Sequence, residues 1–147
     1  MTSLTFERVP SSPYSLGMVS EFVARFPPFK DFEFGTMIKT LLYQLETGSH
    51  LAAGLDDRLV GYVGWIATTA EIAEAWLNQD AKLQPASGNI DAVAVTILAT
   101  EEARYAHALI KQAKLLNPNY SVYWKRYFSD GRVAAKRAVR KKAAAVE

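Results

Sequence analysis

The chain has 147 residues, half of them apolar and 12% aromatic, with a net charge of +2. That length predicts one domain with a proper core. The absence of cysteine excludes a thiol nucleophile, a disulfide scaffold and a thiolate metal site. Two histidines, His50 and His107, do not make a metal cluster. No apolar stretch approaches the ~20 residues of a membrane span. No basic-then-apolar signal opens the chain, so a cytoplasmic location is the expectation.

In chain order, Leu4 to Val9 alternates as a strand, closed by Pro10 and Pro13. Leu16, Val19, Val23 and Phe26 recur at helical spacing, and Pro27-Pro28 must stop that helix. Phe34, Met37, Ile38, Leu41, Leu42 and Leu45 trace the clearest amphipathic helix, with Gly48 as its C-terminal cap. Residues 50–55 and 59–67 read as two strands around Asp56-Asp57-Arg58, hence a hairpin. Thr68 and Glu71 have capping-box spacing, predicting a helix over 69–78.

Residues 80–88 hold Pro85 and Gly88 and read as a loop. Ile90 to Leu98 is almost wholly apolar and β-branched, as a doubly buried strand should be. Thr100 can cap a helix running to about Leu116, stopped by Asn117-Pro118. Ser121 to Phe128 is an aromatic-rich strand, and Ser129-Asp130-Gly131 a turn. Arg132, Lys136 and Arg140 at i, i+4 and i+8 predict a basic helix or frayed tail over 132–147. The sum is mixed α/β with a mainly antiparallel sheet, the one expected parallel pair joining strand 90–98 to strand 121–128 or its neighbour.

Charge is unevenly spread. Residues 1–102 carry 6 basic and 13 acidic side chains; residues 103–147 carry 11 and 2. A basic C-terminal part points to an acidic partner, or to a solvated basic tail. Nucleic acid ranks last, because no recognition-helix or stacking motif accompanies the charge.

Leu16-Gly17-Met18-Val19-Ser20, Asp56-Asp57 with Val60, Tyr62 and Trp65, Ser87-Gly88, and Gly131-Arg132 follow one another in a distinctive order and spacing. In this the chain resembles the toxin-activating lysine acyltransferases of bacteria, from about Leu16 to the basic tail. The resemblance implies an N-acetyltransferase-like α/β fold, with a mainly antiparallel twisted sheet flanked by helices. It further implies transfer of a fatty acyl group from acyl carrier protein to a lysine-like amine of a protein or peptide. No cofactor would be bound permanently; the donor would be an acyl-phosphopantetheine on its carrier, less favourably acyl-coenzyme A. A homodimer is left open.

Where that family places a serine and a catalytic histidine, this chain reads Phe26 and Phe29; where it places an aspartate, Val95 or Thr96. Phenylalanine and valine cannot transfer a proton. Two readings follow. In the first, a backbone N–H on the buried strand polarises the thioester and placement supplies the rest. Asp91 and Thr96 are then the candidate catalytic residues, with Glu101 a further carboxylate beside the strand, and Phe26, Phe29 and Val95 line an acyl pocket. In the second, the chain is a non-catalytic homologue that binds an acyl group or its carrier. Arg104 sits where the superfamily binds a pyrophosphate, but Glu101 and Glu102 in the same turn repel one. Lys125, Arg126 and Arg132, with Lys136, Arg137 and Arg140, are the residues expected to face the donor's carrier. His50 is expected at a surface edge and His107 in solvent.

Overall fold

A computed structural model describes residues 3–83, 88–127 and 132–139. Six strands form one sheet in the order β1-β2-β3-β4-β5-β6, in which only β4 and β5 are parallel. Strand β1 (Thr5–Glu7) is short and borders β2 (His50–Leu55). Ser12 caps the helix α1 (Pro13–Val23) by accepting the Ser15 N–H, and proline at the first helical position costs no hydrogen bond. A 3-10 turn, Phe29–Asp31, follows the proline pair. Helix α2 (Phe34–Thr47) buries Met37, Leu41, Gln44 and Leu45, and ends on Gly48, which takes the left-handed conformation at φ 69°.

Asp56 and Asp57, at φ 53° and 60°, make the two-residue turn into β3 (Arg58–Thr68). Such turns match the strand twist, and aspartate tolerates positive φ. Helix α3 (Ala70–Gln79) is capped by Thr69, one residue later than the capping-box spacing predicts. Thr68 instead ends β3 and is fully buried. After β4 (Ala92–Thr100) comes α4 (Ala103–Leu116), whose cap is Glu102 and not Thr100; Thr100 still belongs to the strand. Strand β5 (Ser121–Tyr127) pairs with β6 (Val133–Ala138).

Over Val133–Ala138 this last strand stands in place of the basic helix or frayed tail expected for 132–147. Arg132, Lys136 and Arg140 have helical spacing, but Val122 to Tyr127 of β5 offer an open edge, and residues 133–138 take it. Residues 140–147 lie outside those described, as do the Ser129-Asp130-Gly131 turn, Pro85 and Ser87.

Helix α4 covers one face of the sheet, where Tyr105, Leu109, Ile110 and Ala113 pack on Val60, Val63, Trp65, Val93 and Val95. Helices α1 and α2 cover the other through Val19, Phe22, Met37 and Leu41 against Tyr62 and Ile97. Helix α3 adds Ala73 and Leu77 against Ala92 and Tyr123 on that same face. Among the described residues no helix is long and apolar enough to cross a membrane.

Candidate active site

Strands β4 and β5 pair only from Ala92–Ser121 to Val95–Trp124. Beyond that, β4 runs on to Thr100 and β5 to Tyr127 without a shared ladder. The two diverge, and the β5-side edge of Thr96–Thr100 is left without a strand partner. Backbone N–H and C=O groups on such an edge can pair with an extended ligand.

A β-bulge sits at the opening. Trp65 pairs with Val95 and Gly64 with Ile97, so Thr96 is the extra residue. The bulge turns both Thr96 and Ile97 toward α2, while Val95 before them and Leu98 after them face α4. A cavity flanks each face of the opening. The α4-side cavity, about 550 Å³, has Phe26, Leu98, Ile110 and Trp124 as apolar lining and His107, Lys111, Lys114, Arg126 and Lys136 as cationic or titratable lining. The α2-side cavity, about 380 Å³, is walled by Phe32, Met37, Tyr43, Ile66, Trp76, Thr96 and Ile97. Tyr127 borders both.

The Thr96 hydroxyl is held from below by a buried polar network. Gln44 Nε2 donates to Thr96 Oγ1 (2.7 Å), and the Tyr62 hydroxyl donates to Gln44 Oε1 (2.7 Å). Gln44 and Tyr62 are fully buried. Val9 N–H donates to His50 Nε2 (3.0 Å), so the other ring nitrogen, Nδ1, carries the hydrogen and donates to the Gln44 carbonyl (2.9 Å). Burial pushes the His50 pKa down and raises that of Tyr62, so both stay neutral. His50 is therefore not a surface histidine: it lies fully buried, joining β1 to the end of α2.

Tyr127 is a different case. It lies where the strands part, its ring edge-on to Phe29 at 6.2 Å, and burial raises its pKa. It stays protonated at neutral pH and can donate a proton.

The sequence-predicted residues scatter. Thr96 is at the opening and lines the α2-side cavity, and Phe26 is half-buried and lines the α4-side cavity. Phe29 is a core residue that reaches the opening only through Tyr127. Val95 packs under α4 and lines neither cavity. Asp91 precedes β4, about 16 Å of strand away from Thr96 at ~3.3 Å per residue. Its Oδ1 accepts the Ala70 N–H (2.8 Å) at the start of α3, so it is a helix-capping carboxylate.

Arg104 is exposed, paired with Glu102 at 3.2 Å and stacked over Tyr105, outside both cavities. Glu102 is held below the usual carboxylate range, first by Tyr105 and then by Arg104. Glu101 binds Arg58 across the start of β3. Lys125 lines the α4-side cavity, with its Nζ 2.9 Å from Asp80 and over Trp76. Arg126 lines the α4-side cavity, and Arg132 is exposed beside β6. His107 is exposed, as expected, and also lines the α4-side cavity. Among the described residues no group of three or more histidine or acidic side chains could hold a metal.

Sequence reasoning missed Gln44, Tyr62, Tyr127, Lys111 and Lys114. Gln44 did carry a signal, being three residues from Leu41 and seven from Met37, a polar residue on an apolar stripe.

No protein-family profile matches the chain, and no curated protein matches it. Solved structures do. A GNAT-family acetyltransferase from Streptococcus agalactiae superposes with a TM-score of 0.58 at 9% identity, over 95% of this chain and 96% of that one. The GphF GNAT-like decarboxylase, in complex with isobutyryl-CoA, gives 0.59 at 14% identity, over 86% and 67%. An agmatine N-acetyltransferase mutant gives 0.56 at 11%, over 83% and 75%. With its split parallel pair and single six-stranded sheet, the chain has the N-acetyltransferase fold.

Proposed function

We propose that this protein transfers an acyl group from a phosphopantetheine thioester to a primary amine. The observation that carries the reading is the parting of β4 from β5 with a cavity on each face and Tyr127 between them. The donor arm lies in the α4-side cavity, its amides paired with the free edge of Thr96–Thr100. The amine enters from the α2-side cavity. Its nitrogen attacks the thioester carbonyl, the C–S bond breaks, and the leaving thiolate takes the Tyr127 proton. The nitrogen's surplus proton passes to water, and water returns a proton to the Tyr127 phenolate, because among the described residues neither cavity is lined by a carboxylate. Thr96, fixed by Gln44, orients the amine.

The donor is an acyl carrier protein, and acyl-coenzyme A serves less well. Glu101 and Glu102 stand at the start of α4, where a nucleotide pyrophosphate would need positive charge. Lys111, Lys114, Arg126 and Lys136 rim the cavity along the flank instead and suit an acidic carrier surface. The acceptor is a lysine-like amine of a protein or peptide, as the resemblance to the toxin-activating acyltransferases implies.

The test is transfer of an octanoyl group to lysine peptides, followed by mass spectrometry, with carrier-borne and coenzyme A-borne donors side by side. Transfer favouring the carrier, and weakened by salt, is expected. Equal or better use of the coenzyme A ester overturns the carrier. The lack of a carboxylate among the described lining residues favours one second reading, a non-catalytic binder, which carrier binding without any transfer would establish.

A further inference from the structure

We propose that the amine accepted in the α2-side cavity sits on an apolar peptide segment with an acidic neighbour, and that Lys39 selects it. This rests on the acyl-transfer reading and adds the chemistry of the acceptor. The cavity's walls are Phe32, Met37, Tyr43, Ile66 and Trp76, with hydroxyls from Thr40, Thr96 and the tyrosines. Its one charged lining residue among the described residues is Lys39. Lys39 is exposed and makes no ion pair among the described residues. Behind Trp76, Lys125 and Asp80 are already paired with each other.

A second cation on the acceptor would meet Lys39 with no carboxylate among the described lining residues to offset it. A polyamine or an arginine-flanked lysine is therefore a poor guest. An acidic neighbour finds an unpaired ammonium. The rim carries apolar surface to match: Phe32 is 44% exposed, Tyr43 38% and Tyr127 36%. Side chains of that size are ordinarily covered, and three around one opening mark a contact surface. An apolar residue beside the target lysine would cover them, and the lysine's own methylene stem would pass the cavity walls.

The test uses three peptides that differ only in the residue after the target lysine: aspartate, alanine or arginine, each with a leucine before it. Transfer from octanoyl carrier protein is timed, and binding of each peptide to the protein is measured by calorimetry. The wild type should prefer aspartate over arginine by roughly three- to thirtyfold, the range of one exposed charge contact turned from attraction to repulsion. Lys39→Glu should reverse the order. Equal use of the three, preference for arginine, or an order unchanged by Lys39→Glu would overturn the proposal while leaving acyl transfer standing. Aspartate-preferring binding that Lys39→Glu reverses, with no transfer from any donor, would sustain acceptor selection and sink acyl transfer. Neither binding nor transfer would sink both.

Discussion

A single methyl group at Gly64 tests the network under Thr96. A Cβ built there would stand 1.8 Å from Gln44 Oε1 and 2.3 Å from its Cδ, distances no packing tolerates. The backbone itself is not the obstacle, since Gly64 is not among the glycines of positive φ. Without the clash, Gly64→Ala would stabilise the strand by about 0.4–1 kcal/mol through the unfolded chain. With it, the fully buried Gln44 side chain must leave. Overpacking costs ~1–3 kcal/mol, and the orphaned Tyr62 hydroxyl about 1–3 kcal/mol more. The expected loss is about 2–5 kcal/mol, much of the ~5–15 kcal/mol a domain has. Urea titration reads it from the midpoint. In Gly64→Ala/Gln44→Ala the new methyl enters space the amide has left, so the pair should lose about as much as Gln44→Ala alone, which makes the coupling as large as the Gly64→Ala loss itself, about 2–5 kcal/mol. Gly17→Ala is the control, because nothing lies within 4 Å of its added Cβ. It should gain roughly 0.5–1 kcal/mol by helix propensity. Additive losses at positions 44 and 64, or a Gly64→Ala protein as stable as the wild type, would refute the reasoning.

Three other outcomes follow from the same geometry. His50 has a folded pKa below its unfolded value near 6.5, so its stabilising contribution is complete above that pH and is lost as pH falls toward the lower folded pKa. The unfolding free energy should decline by up to about 1.4 kcal/mol per pH unit from this group, and a His50 proton resonance titrating at the ordinary value would contradict it. Tyr127→Phe should slow transfer by ~10²-fold or more, and a thioester whose leaving thiol is already acidic should recover most of that loss; no recovery would remove Tyr127 as proton donor. Asp91→Ala should cost about 0.5–2 kcal/mol of stability as a lost cap, with transfer rates kept within a few-fold; a hundredfold loss would put Asp91 back in the chemistry.

The strands and helices with a strong apolar period were legible in the sequence: α2 from its spacing, β4 from its continuous branched residues, the hairpin from Asp56-Asp57. What failed was decided elsewhere in the chain. Val133 to Ala138 is alanine-rich, with basic residues spaced as in a helix, and becomes a strand because β5 has an edge to fill. Its charges then serve an edge strand, which they keep from pairing further. His50 looked peripheral because its partners, Val9 and the Gln44 carbonyl, come from other elements. Asp91 looked catalytic because a carboxylate beside a buried strand has that chemistry, and only the fold reveals that Ala70 claims it. The bulge at Thr96 has no mark in the composition of β4. It lies opposite the step from Gly64 to Trp65, and Gly64 leaves the space on its face to the Gln44 side chain.

The uneven charge of the sequence acquires a direction in the fold. A helix start ordinarily attracts anions through its dipole, yet the start of α4 is lined by Glu101 and Glu102, each answered locally by Arg58 or Arg104. The positive side chains gather instead farther along α4, at Lys111 and Lys114, where they also complement the helix's C-terminal half. Arg126 from β5 and Lys136 from β6 join them around one cavity, though the four span 26 positions of sequence. These four cations favour an anionic donor along the flank of α4, whereas the carboxylates at its tip are already paired with arginines. A nucleotide with its pyrophosphate at the tip gains little from this field. A carrier whose acidic surface lies against the flank gains at several cations at once, and Lys111→Glu/Lys114→Glu should weaken carrier binding while barely altering that of a free pantetheine ester. Equal weakening of both would mean that the lysines act on the arm itself and that the flank selects no carrier.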